Sequence, residues 1–232
     1  VSMQYSYLPS WLSFLVDAER ARGASAELIT AVRVELNAMP ADERPKLYVF
    51  GESLGTNATD SAFTSVEDLS TTTDGALLVG PPGFDPTWRK LQENRDPGSP
   101  LWRPIYDQGG LVRVAATSAE VTDPKLRWTT DRRIVYLVHP SDPIVVYQGL
   151  SRSQWLDPRG PGVPGNVRNL PIVGGVQGGI DLFGANNVPP GYGHVYDQTV
   201  VTAWSEILGP PSLPPQEVEA IQDAVRPITD PK

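Results

Sequence analysis

The sequence predicts an α/β fold built on a mostly parallel sheet with helices on both faces, and three observations predict it. Lys46–Phe50, Gly75–Val79 and Ile134–Val138 are short apolar runs without the polar alternation of a strand that has one wet face. Amphipathic stretches of helical period separate them. A glycine-bounded pentapeptide, Gly51-Glu52-Ser53-Leu54-Gly55, joins the first of these runs directly to a helical stripe. One domain over residues 1–232 is the economical reading, since a chain of this length buries a full core.

The elements follow in order. Val1–Tyr7 reads as a strand, and Pro9-Ser10 offers a turn and a cap for a helix carrying Trp11, Phe14, Leu15 and Ala18. A second helix is expected after Gly23, with Leu28, Ile29, Val32, Leu36 and Met39 at helical spacing until Pro40 ends it. Lys46–Phe50 is a buried strand. Leu54, Ala58, Ala62, Val66 and Leu69 then form one helical stripe, and Gly75–Val79 is the next buried strand. From Gly80 to Trp128 the pattern weakens, apart from a strand at Leu111–Ala115. This stretch, residues 80–130 of the domain, is expected to be an insertion lying as a cap over the carboxyl edge of the sheet. Ile134–Val138 is the strongest strand in the chain. Ser151–Gly184 is loop-rich, and two helices close the sequence, one with Val200, Ala203, Trp204 and Ile207, the other opened by Pro214-Pro215.

Composition excludes several classes of function. A net charge of −8 leaves no broad basic surface for a phosphate backbone, so nucleic acid is not an expected partner. The absence of cysteine removes disulfides, thiolate metal sites and a cysteine nucleophile together. With only His139 and His194 available, a histidine-rich metal centre is excluded, and neither metal nor cofactor is expected. No apolar run reaches the ~18 residues that span a bilayer, so the chain itself reads as a soluble domain.

Chemistry in such sheets gathers at the carboxyl ends of the strands. There the G-x-S-x-G, with a buried strand before it and a helix after it, meets the structural requirement of a nucleophile elbow at Ser53. The flanking glycines are expected to let neighbouring chain pass without a Cβ clash. The N–H of Leu54, at the start of the helix, is placed to bind a developing oxyanion. A serine hydroxyl needs a base. His194, in Gly191-Tyr192-Gly193-His194-Val195-Tyr196, sits on a loop able to reach the elbow. His139 competes, because it follows the strongest strand. It lies three residues before Asp142 on one tight turn, however, and is assigned a supporting role. Asp142, just past that strand, is the acid that orients the base. Glu52, Pro81 and His139 fall near the same edge and are candidates for the substrate pocket. Trp88, Trp102 and Tyr106 either line an apolar acyl pocket or form the core of the insertion.

The chain also resembles a known family, the actinobacterial membrane-associated α/β-hydrolases, in which transmembrane helices precede a hydrolase domain. The resemblance rests on Tyr5-Ser6-Tyr7-Leu8-Pro9-Ser10-Trp11, Tyr48-Val49-Phe50-Gly51-Glu52-Ser53-Leu54-Gly55, Val79-Gly80-Pro81-Pro82, Arg95-Asp96-Pro97-Gly98-Ser99-Pro100, Ser141-Asp142-Pro143-Ile144 and Gly193-His194-Val195-Tyr196. It implies the α/β-hydrolase fold, the triad Ser53, Asp142 and His194, and a hydrophobic or envelope-lipid ester as substrate. It also implies a longer, membrane-associated bacterial parent, with earlier strands, the membrane helices and a second oxyanion-hole loop upstream of Val1. One departure from the family is the polar stretch Thr56-Asn57-Ala58-Thr59-Asp60, where a small, glycine-containing segment is usual.

The expected activity is hydrolysis of a carboxylic ester through an acyl-enzyme. Two other outcomes use the same fold: acyl transfer to an alcohol by the same triad, and an idle hydrolase-fold interaction domain.

Overall fold

The computed structural model describes residues 1–2, 18–147, 171–209 and 213–229. The first strand and first helix expected from the sequence fall on residues 3–17, outside the described residues. Four strands form one all-parallel sheet: β1 (Tyr48–Glu52), β2 (Gly75–Val79), β3 (Val112–Ala115) and β4 (Arg133–Leu137), in the spatial order β1-β2-β4-β3. Helices α1 (Ala18–Ala38), α2 (Leu54–Asp60), α3 (Val66–Thr72), α4 (Pro86–Glu93), α5 (Ser118–Val121), α6 (Pro143–Val146), α7 (Pro171–Gly184), α8 (Thr199–Leu208) and α9 (Pro215–Thr229) surround it.

The strands are apolar on both sides because both faces of the sheet are covered. On one face Val49, Ala76, Leu78, Ile134, Tyr136, Val112 and Val114 pack against Phe63, Val66, Leu69, Trp88 and Leu91 of the α2–α4 side. On the other, Leu77, Val79, Val135, Leu137 and Ala115 meet Val121 of α5 and Ala203 and Ile207 of α8. Truncating one of the fully buried residues, Leu77 or Leu137 for example, costs about 2–5 kcal/mol. Register aligns the carboxyl ends, with Glu52 opposite Val79, Val79 opposite Leu137, and Ala115 opposite Leu137. The residues that follow these four therefore share one rim. Among the described residues, no helix is long and apolar enough to cross a membrane.

Four expectations are corrected. Helix α1 runs without interruption through Gly23, where a break between helices was expected. An internal glycine costs only about 1 kcal/mol, which a helix of 21 residues absorbs. The single stripe from Leu54 to Leu69 is two helices. Ser65 caps the second, its hydroxyl accepting from the Asp68 N–H at 3.2 Å, as hydroxyl side chains compete with the helical ladder for backbone donors. Residues 171–184, expected to be loop, form α7, with Pro171 as its first residue, where its missing N–H costs nothing. Finally, residues 80–130 are more than a cap. They supply α4 and α5 beside the strand expected at Leu111–Ala115, which is observed as β3 and pairs along its length with β4.

Candidate active site

Chain geometry at the end of β1 sets the elbow. Ser53, half-buried, has φ 56° and ψ −121°, a backbone region that few non-glycine residues occupy. The bend turns the chain at once from strand into α2, leaving the first N–H groups of that helix, Leu54 among them, without intrahelical acceptors. A Cβ added at Gly51 would stand 2.7 Å from the Gly55 carbonyl oxygen and 2.8 Å from Thr56 Cα, so the close return of helix on strand requires glycine there. At Gly55 an added Cβ meets nothing within 4 Å among the described residues. Clearing the path is thus the work of Gly51 alone. The bend is held to β2 by the Ser53 N–H, which donates to the Val79 carbonyl at 2.8 Å. Buried Thr56 reinforces it: its hydroxyl lies 2.7 Å from Val79 O and 2.9 Å from Gly51 O, and accepts from the Val79 N–H at 3.1 Å.

Asp142 and His194 meet on the same rim. Asp142, fully buried, caps α6, Oδ1 accepting from the Ile144 N–H at 2.9 Å. Its Oδ2 lies 2.7 Å from His194 Nδ1. A carboxylate only accepts, so Nδ1 carries the proton and the lone pair is left on Nε2. That Nε2 is buried and has no hydrogen-bond partner among the described residues. His194 is held from behind, its N–H donating to Ala185 O just past α7 at 2.9 Å. Its ring packs on Gly80, where an added Cβ would lie 2.6 Å from His194 Cε1. Gly80 directly follows Val79, the residue that accepts from Ser53. Two segments far apart in sequence therefore meet at the Val79–Gly80 junction, Ser53 through its backbone N–H and His194 through its ring.

A family model described as an alpha/beta-hydrolase family matches residues 1–221. The chain belongs to the alpha/beta-hydrolase family. No curated protein and no solved structure matches it. The alpha/beta-hydrolase order of nucleophile, acid and base along the chain is the order of Ser53, Asp142 and His194 here.

His139, the other histidine of this alpha/beta-hydrolase, is also buried, but its Nδ1 faces the Gly193 carbonyl at 2.9 Å and, among the described residues, no carboxylate. It braces the loop that carries His194. Two contributors carried weaker sequence signals. Tyr196 donates its hydroxyl to Asp142 Oδ2 at 2.9 Å and stacks on His139 with ring centroids 4.3 Å apart. Burial, then the neighbouring Asp142, pushes its phenol well above the ordinary range, so it stays a donor. Gly80, with φ 57°, is the second. Both stood in motifs shared with the family, and only their contacts reveal what they do.

The pocket candidates divide. Glu52, exposed at the end of β1, and buried Pro81, next to Gly80, stand at the rim. Trp88 does not: it is fully buried in the core, stacked on Tyr136 at 6.0 Å. Tyr106 forms a bridge with Val112, the first residue of β3, and so lies at the opposite, amino edge. Trp102 is buried with Arg103 over its ring, and Arg103 ion-pairs with Glu120 of α5, beyond the outer strand β3. Of the two readings of these aromatics, the structure places all three in the packing of the α4–α5 segment.

Proposed function

We propose that the chain cleaves a carboxylic ester through an acyl-enzyme. Ser53 Oγ attacks the carbonyl carbon as His194 Nε2 takes its proton. Asp142 holds the imidazolium that forms, and the Leu54 N–H stabilises the oxyanion. His194 then returns the proton to the departing alcohol, and water repeats the sequence to release the acid and restore Ser53. The observation that carries this reading is the imidazole of His194, pinned through Nδ1 to a buried carboxylate with its other nitrogen unpartnered, at the junction that also holds the Ser53 backbone. An idle site would have no need for so specific an orientation of a buried histidine.

A hydrophobic acyl group is supported by α7. It exposes Val176, Ile180 and Phe183 at helical spacing along one side, and the residue after it, Ala185, holds His194. The resemblance to membrane-associated hydrolases supports an envelope ester as the substrate. A fluorophosphonate probe tests the reading. Covalent labelling of Ser53, located by peptide mass spectrometry and lost in Ser53→Ala, is the expected result. Wild-type protein that stays unlabelled overturns it.

A further inference from the structure

We propose that Asp60 and Asp85 share a single proton, carried as an O–H on Asp60 Oδ2 and donated to the carboxylate of Asp85, and that this bond locks α2 to the start of α4 behind Ser53. Asp60 ends α2, Asp85 caps α4, and neither side chain is reached by water, their exposures being 2% and 0%. Asp85 is fully supplied with donors: its Oδ1 accepts from the Trp88 N–H at 2.9 Å and its Oδ2 from Asn57 Nδ2 at 2.7 Å. Asn57 stands one turn before Asp60 on α2, so Asp60 and Asp85 lie side by side, carboxyl against carboxyl.

Asp60 has one donor, the Tyr136 hydroxyl on Oδ1 at 2.7 Å, while Oδ2 is buried with no donor among the described residues. An oxygen so placed against a carboxylate is satisfied only by carrying a proton itself. Two adjacent carboxylates in a dry site cannot both ionise, and the asymmetry of donors, two on Asp85 against one on Asp60, decides which one keeps the charge. Burial first, then the charge of Asp85, holds Asp60 well above the usual carboxylate range. The other titratable groups facing the pair are Tyr136 from β4 and, one hydrogen bond removed through Asn57 Oδ1, Arg22 of α1 at 3.0 Å, itself paired with Glu19. The polar stretch after the elbow is thereby accounted for: Thr56 fastens α2 to β2, and Asn57 and Asp60 fasten it to α4 and β4.

The proposal stands whether or not Ser53 acts on an ester, and its test does not use activity. Infrared spectra of the whole chain at neutral pH should show the carbonyl stretch of a protonated carboxylic acid, and Asp60→Asn should remove it. Asp85→Asn should shift it to higher frequency, because the Asp60 O–H then meets a neutral amide in place of a carboxylate acceptor. A folded pKa raised above the unfolded value of about 3.9 gives stability that is complete below that value and declines as pH rises toward the folded one. The wild-type folding constant should therefore lose up to about tenfold per pH unit through that window relative to Asp60→Asn, which keeps a donor for Asp85 and cannot titrate. Asp60→Asn should be the more stable protein at neutral pH. Wild-type spectra without the acid band overturn the proposal, as does a band that survives in Asp60→Asn or an Asp60→Asn protein that is less stable at neutral pH with an unchanged slope. Should Asp60→Asn fail to fold, the wild-type band and its shift in Asp85→Asn still decide, an unshifted band overturning the proposal.

Discussion

The two edges of the sheet are built from the same strands and held in opposite ways. At the amino edge the strands are closed by ordinary surface bonds: the Asp74 N–H donates to Leu47 O at 2.7 Å, Asp74 Oδ2 accepts the Leu47 N–H at 2.7 Å, and Tyr106 donates to Glu67 at 2.7 Å. At the carboxyl edge a strained Ser53 at φ 56°, and glycines at positive φ, Gly80 and Gly193, surround two buried histidines and a buried aspartate. Strain alone does not separate the edges. Asp107 and Gln108, in the turn before β3, also have positive φ, at 45° and 55°, and there the strain is settled by an Asp96 carboxylate accepting the Gln108 N–H. What distinguishes the carboxyl edge is strain coupled to buried polar groups whose orientation each neighbour fixes. Substitutions that displace His194 or Asp142 at that edge should therefore move activity, and substitutions at the other should move stability alone.

The largest contrast is between the two histidines. His194→Ala removes the only imidazole bonded to a carboxylate among the described residues and should lower kcat/KM for an activated ester by about 10³–10⁴-fold. His139→Ala, which removes a brace on Gly193 O, should cost less than about tenfold. Equal losses in steady-state assays of the two variants would remove the distinction between base and brace.

Gly80→Ala comes next. Its Cβ would stand 2.6 Å from His194 Cε1 at a φ of 57°, so the imidazole must shift or the backbone must strain by about 1–3 kcal/mol. A displacement near 1 Å costs about 10²-fold in rate, whereas Gly55→Ala, with open space around it, should leave both rate and melting temperature nearly unchanged. Tyr196→Phe is milder. It removes one of the donors to Asp142 and should destabilise the fold by about 1.5–3 kcal/mol, read by denaturant melts, with the remaining His194 and Ile144 bonds keeping the acid in place.

The same contrast between edges explains what could be read from the sequence. The strands were legible because their hydrophobicity is local: Gly75–Val79 and Ile134–Val138 each match an observed strand to within a residue. Ser53 was legible because the elbow is a pentapeptide, and Asp142 and His194 because their neighbours form short motifs. Three things were not. α7 was hidden by Gly174, Gly175, Gly178 and Gly179, whose low propensity its surroundings override. Trp88, Trp102 and Tyr106 stand close together in sequence, which says nothing about which edge of the sheet a loop returns to. Asp60 and Asp85 sit 25 positions apart, and each alone reads as a turn or cap residue. Their pairing exists only once α2 meets the start of α4.

The smallest expected effect lies at the amino edge and sets the floor of the comparison. The hydrogen bond from Tyr106 to Glu67, and with it burial and the Glu67 charge, raises the Tyr106 phenol to about 12. A folded value above the unfolded one, about 10, means that the phenol stabilises the fold in full below pH 10 and loses that contribution as pH rises through 12. The pair is at the surface, where water screens it, so Tyr106→Phe should cost no more than about 1 kcal/mol at neutral pH and leave ester hydrolysis untouched. The ultraviolet difference between wild type and variant on alkaline titration isolates this one phenol. A midpoint near 10 would mean that the Tyr106–Glu67 bond does not persist in solution, and a loss of activity in Tyr106→Phe would show that the two edges are not independent.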